Sequence, residues 1–245
     1  MPGEQVLLRK TSLVDYPGKV AAVLFFPGCT LRCPWCQNGE LAAPLERAAP
    51  GGLTGRAGLV TLDDALGHIE KRRSVLGGAV LSGGEPTARS SLGEIIRRIK
   101  ALGLLVKLDT NGMHPDVLEL LFSRNETQPD YLALDLKLPP ERYGELVPAG
   151  NRNAPGEALV KSAALIRSSG IAHEFRSLAL PEGRLAPEEI PAMAVLVDDA
   201  PWYFRSFQPG TCLDPAWNRL DAPGPEETAA LARNARDAGK KGIAL

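Results

Sequence analysis

Residues 20–38 read VAAVLFFPGCTLRCPWCQN. Seven apolar residues, Val20 to Phe26, stop at the turn pair Pro27-Gly28, and Cys29, Cys33 and Cys36 follow. A short run rich in branched and aromatic residues, bounded by turn formers, reads as a buried strand. Such a strand delivers three thiols to its carboxyl end, where parallel α/β folds build their sites.

Working outward, the same pattern recurs. Ala79-Val80-Leu81 precedes Ser82-Gly83-Gly84-Glu85-Pro86, and Leu104 to Leu108 precedes Asp109-Thr110-Asn111-Gly112. Tyr131 to Leu134 precedes Asp135-Leu136-Lys137. A fifth run, Ile171 to Leu178, carries His173, Glu174 and Arg176, and a sixth, Trp202 to Phe207, precedes Gln208-Pro209-Gly210. Between the runs lie helical patterns. Thr61 is placed to cap a helix with Asp63 and Asp64 in its first turn, leading into Ala65, Leu66 and Ile69. Leu92, Ile95, Ile96, Ile99 and Leu102 follow i, i+3, i+4 spacing. Further helices are expected over 115–122, 157–168, 187–196 and 225–238. Alternating strand and helix predicts an α/β fold with a parallel sheet and right-handed crossovers. About six units are fewer than the eight of a closed barrel, so a partial barrel and an open doubly wound sheet both fit the pattern. In either, the polar residues after each strand project toward one mouth.

The chain has 245 residues, 44% of them hydrophobic, ample for a core. Charge is balanced, 28 basic against 29 acidic residues, so nothing predicts nucleic-acid binding. No apolar run approaches the roughly 18–20 residues of a membrane span. The start, MPGEQVLLRKTSLVDYPGK, lacks the features of a signal peptide, and the expected location is the cytoplasm. One domain over 1–245 is expected, with its core at about 18–210, an irregular Pro/Gly/Ala-rich loop over 43–58 and a C-terminal extension with a helix over 211–245.

Clustered cysteines in a reducing compartment point to metal or redox chemistry. Three thiolates on one loop suit an iron–sulfur cluster and leave one iron of a four-iron cube open. Zinc with Cys212 or a histidine as fourth ligand, and a thioredoxin-type pair at Cys33 and Cys36, remain alternatives on spacing alone.

The spacing Cys-x3-Cys-x2-Cys with Trp35 before the last cysteine resembles the radical S-adenosylmethionine (SAM) superfamily signature. The longer string TSLVDYPGKVAAVLFFPGCTLRCPWCQN, residues 11–38, resembles the activating enzymes of anaerobic ribonucleoside-triphosphate reductase and the pyruvate formate-lyase activases. SGGEPT at 82–87, DTNG at 109–112, LDLK at 134–137 and HEFRS at 173–177 extend the likeness.

The resemblance implies a partial (β/α)6 barrel, a [4Fe-4S] cluster on Cys29, Cys33 and Cys36, and SAM. It implies that Gly83, Gly84 and Glu85 meet the methionine amino group and that the backbone of Trp35 meets adenine. Asp109 and Asn111 would lie near SAM, and Lys137 and Arg176 would contact its carboxylate or ribose. Asp109, Thr110 and Asp135 match a monovalent-cation site of the pyruvate formate-lyase activases. Plainer roles stand beside these: a strand-to-helix turn for the glycines, loop packing for Trp35, salt bridges for Lys137 and Arg176. His68 is expected on the surface, His114 at a helix start, His173 near the mouth, and Cys212 as a buried small residue.

The activity implied is reductive cleavage of SAM and formation of a glycyl radical on a partner, anaerobic ribonucleotide reductase first. Flavodoxin or ferredoxin would donate the electron. A pyruvate formate-lyase-type activase, a small-molecule enzyme such as 7-carboxy-7-deazaguanine synthase, and a zinc-binding structural module are the alternatives.

Overall fold

The computed structural model describes residues 4–42, 59–148 and 155–245, so the 43–58 loop expected from sequence lies outside the described residues. The chain forms two compact units. The first comprises Met1–Thr30, Glu40–Thr110 and Asp116–Leu132; the second comprises Leu31–Gly39, Asn111–Pro115 and Ala133–Leu245.

The first unit contains β1 (Gln5–Ser12), β2 (Ala21–Phe26), β3 (Leu59–Thr61), α1 (Leu62–Lys71), β4 (Gly78–Gly83), α2 (Leu92–Ala101), β5 (Leu105–Thr110) and α3 (Pro115–Phe122) from Asp116 onward. Its strands lie in the order β3-β1-β2-β4-β5. β2, β4 and β5 are parallel, with Val23 beside Val80 and Val80 beside Lys107. β1 is antiparallel to β2 and β3. Neither β1 nor β3 was among the strands expected from sequence. β1 has exposed residues over Arg9–Thr11, and β3 has three residues, too few to show a period.

The helices form where the apolar spacing places them. Thr61 caps α1 by accepting from the Asp64 amide, and Leu62, Ala65, Leu66 and Ile69 are buried beneath it. α2 buries Leu92, Ile95, Ile96 and Ile99. Tyr16, Ala21, Val23 and Val80 form a buried cluster on one sheet face, with Phe25 and Tyr131 packed against it.

β6 (Tyr131–Asp135) starts at the end of the first unit and finishes in the second. The second unit continues with α4 (Pro155–Ser168), β7 (Ala172–Ala179), α5 (Ile190–Ala194), β8 (Pro201–Ser206), α6 (Pro225–Asp237) and β9 (Lys241–Ala244). β7, β8 and β9 are parallel neighbours, with Arg176 beside Tyr203 and Leu178 beside Arg205. Trp202 and Phe204 are fully buried on the face opposite Tyr203 and Arg205.

The helix expected over 187–196 divides into a 3-10 turn, Pro187–Glu189, and the five-residue α5. Pro191 has no amide hydrogen for the Pro187 carbonyl, so a continuous α-helix cannot pass it. β9 is a further strand absent from the sequence expectation. Among the described residues, no helix is long and apolar enough to cross a membrane.

Candidate functional site

In the first unit, the loops after β2 and β4 are held together through backbone atoms. The Gly84 amide donates to the Phe26 carbonyl and the Glu85 amide to the Gly28 carbonyl, each at 2.8 Å. Gly83 has φ +120°, and a Cβ there would strike the Phe26 backbone. A Cβ on Gly84 would strike the Gly28 carbonyl and stand 3.2 Å from the Cys29 amide nitrogen. Both positions therefore require glycine, which brings the loop after β4 directly against the start of the cysteine loop.

Glu85 is buried, and its Oε1 accepts from the Thr87 amide (3.1 Å), the Thr87 hydroxyl (2.6 Å) and the Thr110 hydroxyl (2.8 Å). Arg89 donates to the Pro27 carbonyl and pairs with Glu4 at 3.3 Å. Burial lowers the Arg89 pKa, with the Glu4 carboxylate opposing the shift. Asp109 Oδ1 lies 2.6 Å from Lys107 Nζ, a lysine only 2% exposed.

In the second unit, the Cys36 amide donates to the Cys33 carbonyl at 3.0 Å, closing a turn around Pro34-Trp35. The segment after β8 grips this turn. The Leu213 amide donates to the Cys36 carbonyl and the Asp214 amide to the Pro34 carbonyl, both at 3.0 Å. The Thr211 hydroxyl donates to the Gln37 carbonyl at 2.9 Å. Trp217 packs against Trp35 with ring centroids 5.3 Å apart and planes tilted by 46°, and the Arg184 guanidinium lies 4.6 Å from the Trp217 centroid. Asn218 Oδ1 accepts from the Gly210 and Cys212 amides and shapes the segment. Cys212 is buried as expected, and that burial pushes its thiol pKa up.

Asp135, at the end of β6, bonds Arg176 Nε at 2.8 Å and Lys137 Nζ at 3.3 Å. Burial alone would raise the Asp135 carboxyl, but the two cations outweigh it and hold it at about 2. The Lys137 ammonium is disfavoured by burial, yet Asp135 raises its pKa overall. These groups line a cavity of about 190 Å³ together with Trp35 and Arg205. Asn111 is buried and its Oδ1 accepts from the Met113 amide.

The structure thus places Cys29, Gly83, Gly84, Glu85, Asp109 and Thr110 in the first unit, and Trp35, Cys33, Cys36, Asn111, Asp135, Lys137 and Arg176 in the second. Two expectations need correction. His173 lies at the entering end of β7, three residues before Arg176 and on the other face; it bonds the Ile171 carbonyl and Asp198, away from the strand's carboxyl end. His68 is not a solvated surface group, since its Nε2 is buried without a hydrogen-bond partner. Arg205 and Trp217 were not identified from sequence, because their relevance depends on which strands and loops become neighbours. Lys107 was not identified either, although period two puts it on the face of Asp109.

The donor set fits an iron–sulfur cluster. Three soft thiol ligands lie on one loop, and none of the four cysteines is in a disulfide. Among the described residues, no group of three or more His, Cys, Asp or Glu side chains is already drawn together around a metal ion, the three cysteines included, so donor chemistry and spacing alone distinguish the cluster from zinc. The cation donors fit less well: Asp109 already pairs with Lys107, the Thr110 hydroxyl donates to Glu85, and Asp135 lies between Arg176 and Lys137.

The fold and these motifs define an α/β protein with a three-thiol loop after a parallel strand. The model of the radical SAM superfamily matches residues 23–187, and the chain belongs to that superfamily. Membership implies a [4Fe-4S] cluster and SAM as cofactors. A Methanocaldococcus jannaschii protein, assigned by name to the glycyl-radical enzyme activating enzymes, is 30% identical over 231 residues, 92% of this chain and 88% of that protein. The pyruvate formate-lyase-activating enzyme of Listeria monocytogenes serovar 1/2a is 30% identical over 147 residues, 56% of this chain and 55% of that one. Among solved structures, a radical SAM methyltransferase from Sphaerobacter thermophilus superimposes with a TM-score of 0.66 at 18% identity, covering 94% of this chain and 67% of that one.

Proposed function

We propose that the chain is an activase that generates a glycyl radical on a partner enzyme, with anaerobic ribonucleoside-triphosphate reductase as the partner and flavodoxin or ferredoxin as electron donor. The supporting observation is the likeness, along 92% of the chain, to a protein assigned by name to the glycyl-radical enzyme activating enzymes. When bound, the cluster and SAM supply reductive cleavage of SAM to methionine and a 5′-deoxyadenosyl radical.

The chain's own residues bind and orient. Cys29, Cys33 and Cys36 are the proposed cluster ligands. Gly83 and Gly84 let the backbone approach the methionine amino group, and the buried Glu85, held by Thr87 and Thr110, supplies the negative charge facing it. Lys137, Arg176 and Arg205 outnumber Asp135 in their cavity and suit a carboxylate. The Trp35 backbone takes adenine, while Asp109 and Asn111 lie near SAM. Both units are proposed to serve one radical SAM domain spanning 1–245, with 211–245 as an extension.

The test mixes reconstituted protein, SAM, a low-potential reductant and the anaerobic reductase, and reads the glycyl radical by electron paramagnetic resonance. SAM cleavage with no glycyl radical would overturn the activase reading. Cys29→Ala is expected to abolish both cluster iron and the radical signal.

A further inference from the structure

Among the described residues, Lys107 is the one cation in the buried set. It sits mid-strand on β5 beside Val80, whose other neighbour is Val23, so it projects from the face carrying the buried apolar cluster. A lysine is rarely buried without a compensating partner. Here its ammonium bonds Asp109 Oδ1 at 2.6 Å and lies 6.0 Å from the centroid of the Tyr131 ring. Tyr131 in turn packs on Tyr16, with centroids 6.0 Å apart. The four-carbon stem fills apolar space while the charged end meets the carboxylate.

An alkali-metal ion beside a carboxylate is a compact, strongly hydrated unit charge. The ammonium of lysine has the same charge and similar hydration, but it is tethered. Asp109, the carboxylate that resemblance assigns to a monovalent-cation site, therefore already holds a cation encoded two residues earlier. We propose that the Lys107 ammonium is a built-in substitute for the monovalent cation, neutralising Asp109 and fixing its carboxylate without a dissolved sodium or potassium ion. The consequence for SAM binding rests on the reading of Asp109 as a SAM-pocket residue; the charge substitution itself does not.

The test compares wild type, Lys107→Met and Lys107→Arg in sodium, potassium and choline chloride at about 0.15 M ionic strength. Two quantities are read: the melting temperature of the chain without cluster, and the SAM dissociation constant of the reconstituted protein. Wild type and Lys107→Arg should give the same values in all three salts. Lys107→Met should bind SAM roughly tenfold more weakly in choline, the loss expected for one charge-assisted hydrogen bond, and recover in sodium or potassium. Its melting temperature should follow the same order. Lys107→Gln replaces Lys107→Met if the latter does not fold. A wild type that melts lower or loses SAM affinity when alkali cations are removed would overturn the proposal. So would a Lys107→Met chain equally impaired in every salt. If no chain binds SAM, the functional reading fails, and the melting series alone decides the role of Lys107.

Discussion

The loop after β4 and the pocket at the ends of β6 and β7 are built on different physics. The first is a backbone construction. Gly83 and Gly84 remove side-chain volume so that amides reach the Phe26 and Gly28 carbonyls. The second is a side-chain construction, in which Asp135 draws together Arg176 and Lys137, and Trp217 braces Trp35. A backbone construction should fail when atoms are added, and a side-chain construction when atoms or charges are removed.

The largest effect is expected from removing the aromatic brace. Trp217 is 5% exposed, and Trp217→Ala should cost about 4 kcal/mol, the usual loss for a buried tryptophan. Trp217→Phe should recover most of it. Denaturant unfolding gives the stability, and iron retention after reconstitution shows whether the grip on the Cys33–Cys36 turn is lost with it. Equal tolerance of Ala and Phe would remove the brace from the account.

Adding one methyl group at Gly84 comes next. Gly84→Ala should cost about 3 kcal/mol, because the Cβ meets backbone that cannot rotate aside. Gly67→Ala, where a Cβ would meet nothing within 4 Å, is the control and should be neutral or stabilising. If both substitutions behave alike, the close approach at Gly84 is not what holds the loop.

Charge removal is expected to be milder, because the Asp135 side chain is 30% exposed and solvent screens the pair. Asp135→Asn should cost about 2 kcal/mol by leaving Arg176 and Lys137 without their anion. The pH dependence follows from the depressed carboxyl, held at about 2 against about 3.9 in an unfolded chain. The contribution is present above pH ~3.9 and is lost as pH falls toward ~2. Unfolding measured across that window should show a steeper stability loss in wild type than in Asp135→Asn. Parallel curves would mean the ion pairs contribute nothing.

The smallest effect tests a side chain outside both constructions. His68 buries Nε2 without a partner, so His68→Leu should leave stability unchanged or raise it by about 0.5 kcal/mol. A loss above about 1 kcal/mol would reveal a hydrogen bond at that ring.

The two regions also differ in how far they could be read from sequence. Gly83-Gly84-Glu85 is a local string, and glycine carries its steric consequence in any fold. The Asp135–Arg176 bond joins residues 41 apart, a separation over which spacing selects no partner. Arg205 becomes relevant only because β8 lies beside β7, with Leu178 opposite it. His173 lies on the same strand as Arg176 but at its entering end and on the other face, a distinction that an apolar run alone does not carry. The split at Pro191 was legible in principle, since proline's missing amide is a local property.

By itself, the sequence determined the six core strands, most helices, the cysteine loop and the family resemblance. Those depend on period, turn chemistry and spacing, which act over a few residues. Only the tertiary structure decided that Asp135 serves two cations, that Lys107 neutralises Asp109, and that residues 211–217 clamp the Cys33–Cys36 turn. Residue type limits which partners are chemically suitable. Strand order, register and side-chain facing select among them, and those are set by burying the sheet faces as a whole.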